Sequence, residues 1–425
     1  MEFRRTYNFI SMKILFLLAY SFPEQAASGY LGGNLNQAYV EQGWNMVYYT
    51  PTPCRGIDAE TRKKYKKIKR EERLDGHLVV HRFSMFAEGK NAFLRALRYF
   101  LCAIKHFNRG VIAKDARSCD VMFIYSTPPI QGALAALVKK VRHIPLIYNL
   151  QDIFPDSLVG TGLAKRGGLL WKVGRVIENF TYRNADKIIV ISQDFKKNIM
   201  AKGVPEEKIV VIYNWVDEEA VVDIPREKNV LFNRYGLDRN KFYVTYNGNI
   251  GLTQNMDMLM EVAKALEPNE DIQFVLVGNG AYLEQVKQII KDRNLVNVTL
   301  LPFQPYEEIS HVFSLGDVSL VISKPGVGAN SVPSKTWSIM SASRPVLANF
   351  DENELKTIIE ENSCGIFTKA GDKVGFTDAI MKLYNDRELC KKMGANGRKF
   401  VMDNLTKEVG TQKYVDVIKS VVSQR

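Results

Sequence analysis

Phe242-Tyr243-Val244-Thr245-Tyr246-Asn247 runs directly into Gly248-Asn249-Ile250-Gly251-Leu252-Thr253, and a helical pattern with Asp257 in its first turn follows from about Asn255. A β-branched and aromatic run of strand length, ending in glycines ahead of a helix, opens a βα unit. On a parallel sheet that junction is where ligands bind, at the carboxyl end of the strand. The same pattern recurs along the chain. Strand-like runs stand at 14–18, 46–49, 121–125, 146–149, 187–191 and 209–213, and again at 242–247, 273–277, 298–301, 318–322, 345–348 and 365–368, with helical patterns between them. Each half therefore reads as its own doubly wound α/β domain on a parallel sheet.

Composition agrees. The 425 residues are 46% apolar and 24% charged, enough for two or three cores. Five scattered cysteines (Cys54, Cys102, Cys119, Cys364, Cys390) show no metal or redox spacing, which points to a reducing cytoplasm. The five histidines (His77, His81, His106, His143, His311) show no metal spacing either. A signal peptide is a poor fit to residues 14–20, because Lys13 precedes a short apolar run that makes a better first strand. Residues 1–11 read as an extension, 12–215 as the first domain, 216–240 as a polar linker and hinge, 241–405 as the second domain, and 406–425 as a terminal helix that crosses back to the first.

The net charge of +12 is unevenly placed. Residues 1–220 hold 33 Lys and Arg against 21 Asp and Glu, and the remainder 25 against 25. The first half thus faces something anionic. Within 92–110, Arg95, Arg98, Cys102, Lys105 and Arg109 share one helical face, with Phe93, Leu94, Leu97, Phe100 and Ile104 among the rest. A helix basic on one side and apolar on the other suits the plane of an anionic membrane; a core helix with a solvated basic face is the other reading. The basic run 62–73 inclines the choice to the membrane. Nucleic acid is disfavoured, since no helix-turn-helix, RNA-binding signature or zinc site accompanies the charge.

Two further Gly-rich junctions exist, Ser28-Gly29-Tyr30-Leu31-Gly32-Gly33 and Lys324-Pro325-Gly326-Val327-Gly328-Ala329-Asn330-Ser331, the second leading to Pro333-Ser334-Lys335. A cation in the first turn of a helix opposes the macrodipole, by up to ~1 kcal/mol, unless an anion sits nearby. Lys335 and Ser334 with the free amides would then form a diphosphate cradle; a surface lysine in water is the plain alternative. No dinucleotide fingerprint, Walker A loop or Asp-x-Asp pair is present, so the anion would be met by amides and cations without a metal. For acid/base or charge-stabilising work, Asp152 and Asp156 follow the strand at 146–149 beside Ile153-Phe154-Pro155, where burial would raise their pKa values; capping of a turn is the other reading.

Taken together, Lys13-Ile14-Leu15 with Gly32-Gly33, Asn214-Trp215-Val216-Asp217, Gly248-Asn249-Ile250-Gly251, Val277-Gly278-Asn279-Gly280 and Val332-Pro333-Ser334-Lys335 leading to Arg344-Pro345-Val346-Leu347-Ala348 resemble retaining glycosyltransferases of family 4. The branch is that of bacterial surface polysaccharides, similar to N-acetyl-L-fucosamine and colanic acid-type transferases. The resemblance implies the GT-B fold, two Rossmann-like domains facing across a cleft, with a nucleotide sugar (UDP most often) as co-substrate and no cofactor or metal. It places Gly248, Asn249 and Gly251 at the diphosphate, Gly278, Asn279, Phe303 and Gln304 at the nucleoside, and Ser334 and Lys335 at phosphate; Ser331 joins the donor-binding set, and Lys324 would stand in with Lys335 for phosphate cations the family usually has. Gly32 and Gly33, with Asp156, would line the acceptor side, and Asp152 and Lys335 would carry catalysis. The implied acceptor is a polyprenyl-diphosphate-linked glycan at the inner face of the plasma membrane, reached by a cytoplasmic, peripheral protein whose domains close to gate turnover. Two departures stand out. The usual Glu pair is replaced by Asn330 and Ser338, and the usual Arg and Lys after the first strand of the second domain by Asn249 and Gln254. A nucleotide-sugar epimerase of the same fold and a catalytically silent scaffold are the rival expectations.

Overall fold

The computed structural model describes residues 12–24, 29–89, 91–160, 164–328 and 332–424. The chain forms two units, one running to Tyr213 and taking in Thr411 onward, the other Asn214–Gly410.

The first unit is built on β1 (Lys13–Leu17), β2 (Asn45–Pro51), β3 (Arg70–Arg73), β4 (Leu78–Phe83), β5 (Val121–Tyr125), β6 (Leu146–Leu150), β7 (Lys187–Val190) and β8 (Ile209–Val211). Their order is β3-β4-β2-β1-β5-β6-β7-β8, parallel throughout except for the β3–β4 pair. Ile14, Leu15, Phe16 and Leu17 are all within 1% of full burial, which is why β1 reads as an unbroken apolar run rather than an alternation. β3 and β4 are absent from the sequence expectation. Arg70-Glu71-Glu72-Arg73 contains no apolar residue, and as an antiparallel edge strand it needs none: charge there discourages pairing with another chain.

Both basic segments depart from expectation. Half of 62–73 is the helix Ala59–Lys67, N-capped by Asp58, whose carboxylate accepts from Thr61 N at 2.7 Å. Arg62 turns inward and donates to Met85 O at 2.9 Å, and Arg73 lies 3.8 Å above the Phe22 ring. The larger correction concerns the helix Ala92–Ile112. Arg98 and Cys102, expected on a solvated basic face, are 0% and 1% exposed, while Phe93, Phe100 and Ile104 on the other side are open to solvent. Arg95, Lys105 and Arg109 of the same face stay exposed, whereas Arg98 and the neighbouring His106 turn inward because they find partners there. Arg98 Nε donates to Phe86 O (3.1 Å), and His106 engages Tyr49 O and the Gln131 amide at 3.0 Å each.

The second unit holds β9 (Phe242–Asn249), β10 (Ile272–Asn279), β11 (Val298–Leu301), β12 (Val318–Ile322), β13 (Val346–Phe350) and β14 (Gly365–Lys369), all parallel, in the order β11-β10-β9-β12-β13-β14. Numbered from its own first strand this is 3-2-1-4-5-6, the order of dinucleotide-binding sheets, and it reverses between β9 and β12. Helix Met256–Leu266 seals one face with Met256, Leu259, Met260 and Val262, all fully buried.

The stretch 216–240, read from sequence as a linker, packs into this second unit. Val216 and Val221 are buried, Leu231 and Phe232 are within 1% of full burial, and Val222 N and Ile224 N each donate to a serine hydroxyl, Ser310 and Ser314, at 2.9 Å. Polar composition misled there, because the polar groups bond inward. Of the helix Lys407–Val422, the part from Thr411 belongs to the first unit, where Tyr414 is buried against Phe123. Among the described residues no helix is long and apolar enough to cross a membrane.

Candidate active site

The carboxyl ends of β9 and β10 meet with glycines in register, Gly248 opposite Gly278. Gly278 has φ +151°, and a Cβ there would lie 1.9 Å from Gly248 O. Gly280 is similarly confined, 2.2 Å from Ile250 O. Only glycine lets these two strand ends approach so closely. Gly278 therefore serves the fold first, and neither it nor Asn279 lines the adjacent cavity.

That cavity, of about 430 Å³, opens at the point where the strand order reverses. Its floor is Asn247, Gly248 and Asn249 of β9 with Val277 of β10. One wall is apolar: Phe303, beyond β11, with Ile309, Val312 and Phe313 of the helix Ile309–Phe313. Pro333, Ser334, Lys335 and Ser338 form the other. A concave, largely apolar chamber with a few convergent polar groups is the ordinary form of a small-molecule site.

Three polar features give it character. Lys335 is the first residue of the helix Lys335–Ser341, but its ammonium turns back toward β9 and lies 3.7 Å from the centroid of the Tyr246 ring. Gly248 has φ +123°, a backbone conformation that favours glycine, and a Cβ there would sit in van der Waals contact with that nitrogen, at 3.4 Å. Burial pushes the Lys335 pKa down to about 7. The sequence argument rested on the helix dipole; in a helix of seven residues desolvation is the stronger influence. Second, Asn247 is 4% exposed, and neither amide atom has a partner among the described residues. An unbonded buried amide costs roughly 1–3 kcal/mol, so a ligand that bonds it gains that contact. Third, Ser338 presents a hydroxyl where the resemblance places a carboxylate.

Of the donor-side residues read from sequence, the cavity gathers Gly248, Asn249, Phe303, Gln304, Ser334 and Lys335. Gly251 stands behind it, its N–H donating to Gln254 Oε1 at 3.0 Å. Lys324 points elsewhere, its ammonium 5.3 Å from the Tyr282 ring, and its loop is fastened by Asp351, which accepts from Gly326 N and Gly328 N at 2.9 and 2.7 Å. Ser331 and Asn330 lie outside the described residues. Sequence reading missed Asn247, whose signal is an amide at a strand position otherwise filled by buried apolar groups.

In the first unit the two carboxylates part company. Asp152 is exposed just beyond β6, accepts from Ser157 Oγ at 3.0 Å, and has its pKa raised by the surrounding protein. Asp156 has the opposite shift from the one expected. Burial pushes it up, but Lys202 at 2.8 Å and Asn198 outweigh burial and leave the pKa lowered. Lys202 also bridges to Glu178 (2.9 Å), so Asp156 belongs to a structural ion network. Gly32 and Gly33 lie inside the helix Gly29–Glu41 rather than in a turn before it, with open space where each Cβ would be. Among the described residues no cluster of three or more His, Cys, Asp or Glu is placed to hold a metal.

Comparison with known proteins fits this division. Residues 33–215 match the glycosyl transferase 4-like domain, and residues 227–400 match the glycosyl transferases group 1 family. WbjE of Pseudomonas aeruginosa, named a probable glycosyltransferase, is 24% identical over 76% of this chain and 79% of its own length. WcaI of Escherichia coli K12, named for colanic acid biosynthesis, is 27% identical over 48% of this chain and 51% of its own. The structure of HepE from Anabaena, solved in complex with UDP, superposes with a TM-score of 0.71 at 18% identity, covering 96% of this chain and all of that one. The two domain matches together take in most of the chain, which belongs to the glycosyltransferases built from these two domains on the GT-B fold.

Proposed function

We propose that this glycosyltransferase transfers a sugar, with retention at the anomeric carbon, from a UDP-linked donor to a polyprenyl-diphosphate-linked oligosaccharide during surface-polysaccharide assembly. It works as a peripheral protein at the cytoplasmic face of the membrane. The observation that carries the donor half is the pairing, in one largely apolar cavity, of the unbonded Asn247 amide with the Lys335 ammonium. A nucleoside diphosphate supplies both an acceptor-rich polar edge for the first and a charge for the second. The UDP complex of HepE and the colanic acid naming of WcaI support the donor and the pathway class.

Transfer breaks the bond between the anomeric carbon and the diphosphate and forms one to an acceptor hydroxyl on the same face. The departing diphosphate gains charge as it leaves. Lys335, which burial holds at a pKa of about 7 in the free protein, becomes charged when the donor diphosphate binds and stabilises the charge that develops as it departs, without a metal, while the acceptor hydroxyl's proton passes to the departing diphosphate. Ser334 and the Gly248 and Asn249 backbone border the same anion, and Phe303 with Gln304 the nucleoside. Asp152, the carboxylate with the raised pKa, positions the acceptor hydroxyl.

The test is release of UDP or GDP from a panel of donors, with and without a polyprenyl-diphosphate glycan, in the presence of EDTA. Acceptor-dependent UDP release that survives EDTA is the expected result, and Asp152→Asn should slow it while leaving UDP binding intact. Release without acceptor, with a product sugar altered in stereochemistry, would favour an epimerase. No release from any donor would leave a silent scaffold, as the replacement of the Glu pair at Ser338 allows.

A further inference from the structure

The helix Ala92–Ile112 buries two of its polar side chains: Arg98 bonds Phe86 O and, at 3.3 Å, Cys54 Sγ, and His106 bonds Tyr49 O and Gln131, while Ala103, Phe107 and Val111 pack beside them against the core. Outward it presents Phe93 (76% exposed), Phe100 (53%), Ile112 (71%), and Leu94, Leu97 and Ile104 between them. The neighbouring helix Ile130–Arg142 exposes Leu137 and Val141, and beyond it the helix Leu169–Asn184 exposes Leu169, Val173 and Val176. Three helices packed side by side on one face of the sheet thus leave apolar side chains in water. A surface of that extent marks a place of docking.

What docks is indicated by the charge at the patch's edge. The last turns of the helix Ala92–Ile112 and the end of β4 enclose a cavity of about 510 Å³, lined by Lys69, Arg82, Ser84, Lys105, Arg109 and Ile112. Lys105 Nζ donates to Ser84 O at 2.7 Å, and Lys69 Nζ reaches Ser84 Oγ at 3.2 Å and Lys66 O at 3.1 Å, so two ammonium groups converge on one serine. Among the described residues Lys69, Lys105 and Arg109 form no salt bridge. Arg82, its side chain only 1% exposed, bonds Glu71 and Phe22 O through one nitrogen and leaves Nε and Nη1 without partners. Asp115, which lines the adjoining cavity with His81, Lys69 and Arg109, accepts a hydrogen bond from His81 at 2.7 Å. Like charges gathered this way repel until an anion joins them.

We propose that this face seats on an anionic phospholipid bilayer: the apolar side of the helix Ala92–Ile112 enters the headgroup and acyl boundary, and the phosphate of one lipid is held by Lys69, Lys105 and Arg109. A protein partner or a second copy would bury the apolar side chains equally well, but neither explains a cation cavity at the edge of the patch, whereas a bilayer supplies apolar and anionic chemistry together. The inference builds on the reading of a membrane-held acceptor, and its test uses no turnover, so either can fail alone.

Full-length protein is mixed with vesicles of neutral phosphatidylcholine or with 30–40% (about a third) phosphatidylglycerol added, and bound protein is separated by flotation. Binding to the anionic vesicles, with at least roughly tenfold weaker binding to neutral ones and weakening in high salt, is expected. Lys69→Glu with Lys105→Glu should lose that preference for anionic lipid, and Phe93→Ser with Phe100→Ser should release the protein from both vesicle types. All four side chains are exposed or at the cavity rim, and an unchanged circular dichroism spectrum and thermal transition for each variant confirm that its first unit is folded. Wild-type flotation by both variants would overturn the proposal. So would binding of inorganic phosphate in the cavity without any flotation, or a concentration-dependent dimer that the Phe93→Ser, Phe100→Ser variant abolishes.

Discussion

The two sheets reverse their strand order in the same way, between β1 and β5 in one unit and between β9 and β12 in the other, yet glycine means something different at each place. At the ends of β9 and β10 the fold itself demands it: Gly278 has a φ that side-chain-bearing residues rarely adopt and no room for a Cβ. In the helix Gly29–Glu41 that follows β1, nothing in the first unit lies within 4 Å of where the Cβ of Gly32 or Gly33 would be. Glycine in a helix interior is destabilising, so its presence there calls for a reason outside the unit's own packing. One glycine pair is architecture and the other is open space.

The largest way to break this contrast is Gly278→Ala. With Gly248 O at 1.9 Å from the new methyl, β9 and β10 must separate, and a loss on the order of 3 kcal/mol or more is expected in chemical denaturation. A loss below about 1 kcal/mol would show that the strand ends relax and that Gly278 is free for another role.

Next in size is Lys335→Met, which removes the cation of the second unit's cavity while keeping its bulk. UDP affinity should fall roughly 10–100-fold, the range for a hydrogen bond to a charged group. The pH dependence carries the sharper test. In the free protein burial holds Lys335 at about 7, so it is charged below that pH and increasingly neutral above it. A bound diphosphate favours the charged form, raises the pKa and makes binding take up a proton. Affinity should therefore weaken as pH rises from about 7 toward 9 in the wild type and stay flat in Lys335→Met, with proton uptake seen calorimetrically in buffers of different ionisation enthalpy. A pH-independent wild type would remove Lys335 from the diphosphate.

The same contrast explains what could be read in advance. The central strands of both sheets are buried on both faces, so 242–247 and 14–18 announce themselves by apolar content alone. β3 does not, because an edge strand of Arg-Glu-Glu-Arg satisfies its backbone through β4 and its side chains through pairing, Arg70 with Glu72 and Glu71 with Arg82, and through Arg73 over the Phe22 ring. For the helix Ala92–Ile112 the periodicity is plain but its polarity is not. The partners that draw Arg98 and His106 inward are Cys54, Phe86, Tyr49 and Gln131, and Tyr49 lies 57 positions from His106 in sequence. At the candidate site, Gly248, Ser334 and Lys335 of the glycine and lysine motifs line the cavity. Asn247 was invisible because its significance is the absence of a partner among the described residues, and Lys324 lies near the Tyr282 ring, outside the cavity lining.

The smallest expected effect tests the open half of the contrast. Gly33→Ala places a methyl in empty space on a helix, and should raise stability by about 0.5–1 kcal/mol through reduced freedom of the unfolded chain. If the glycine is there so that a substrate can come close to the helix backbone, the stabilised variant should turn over more slowly while binding UDP as before. A more stable enzyme with undiminished turnover would mean that Gly33 meets no substrate, and the likeness between the two glycine-rich junctions would be one of sequence only.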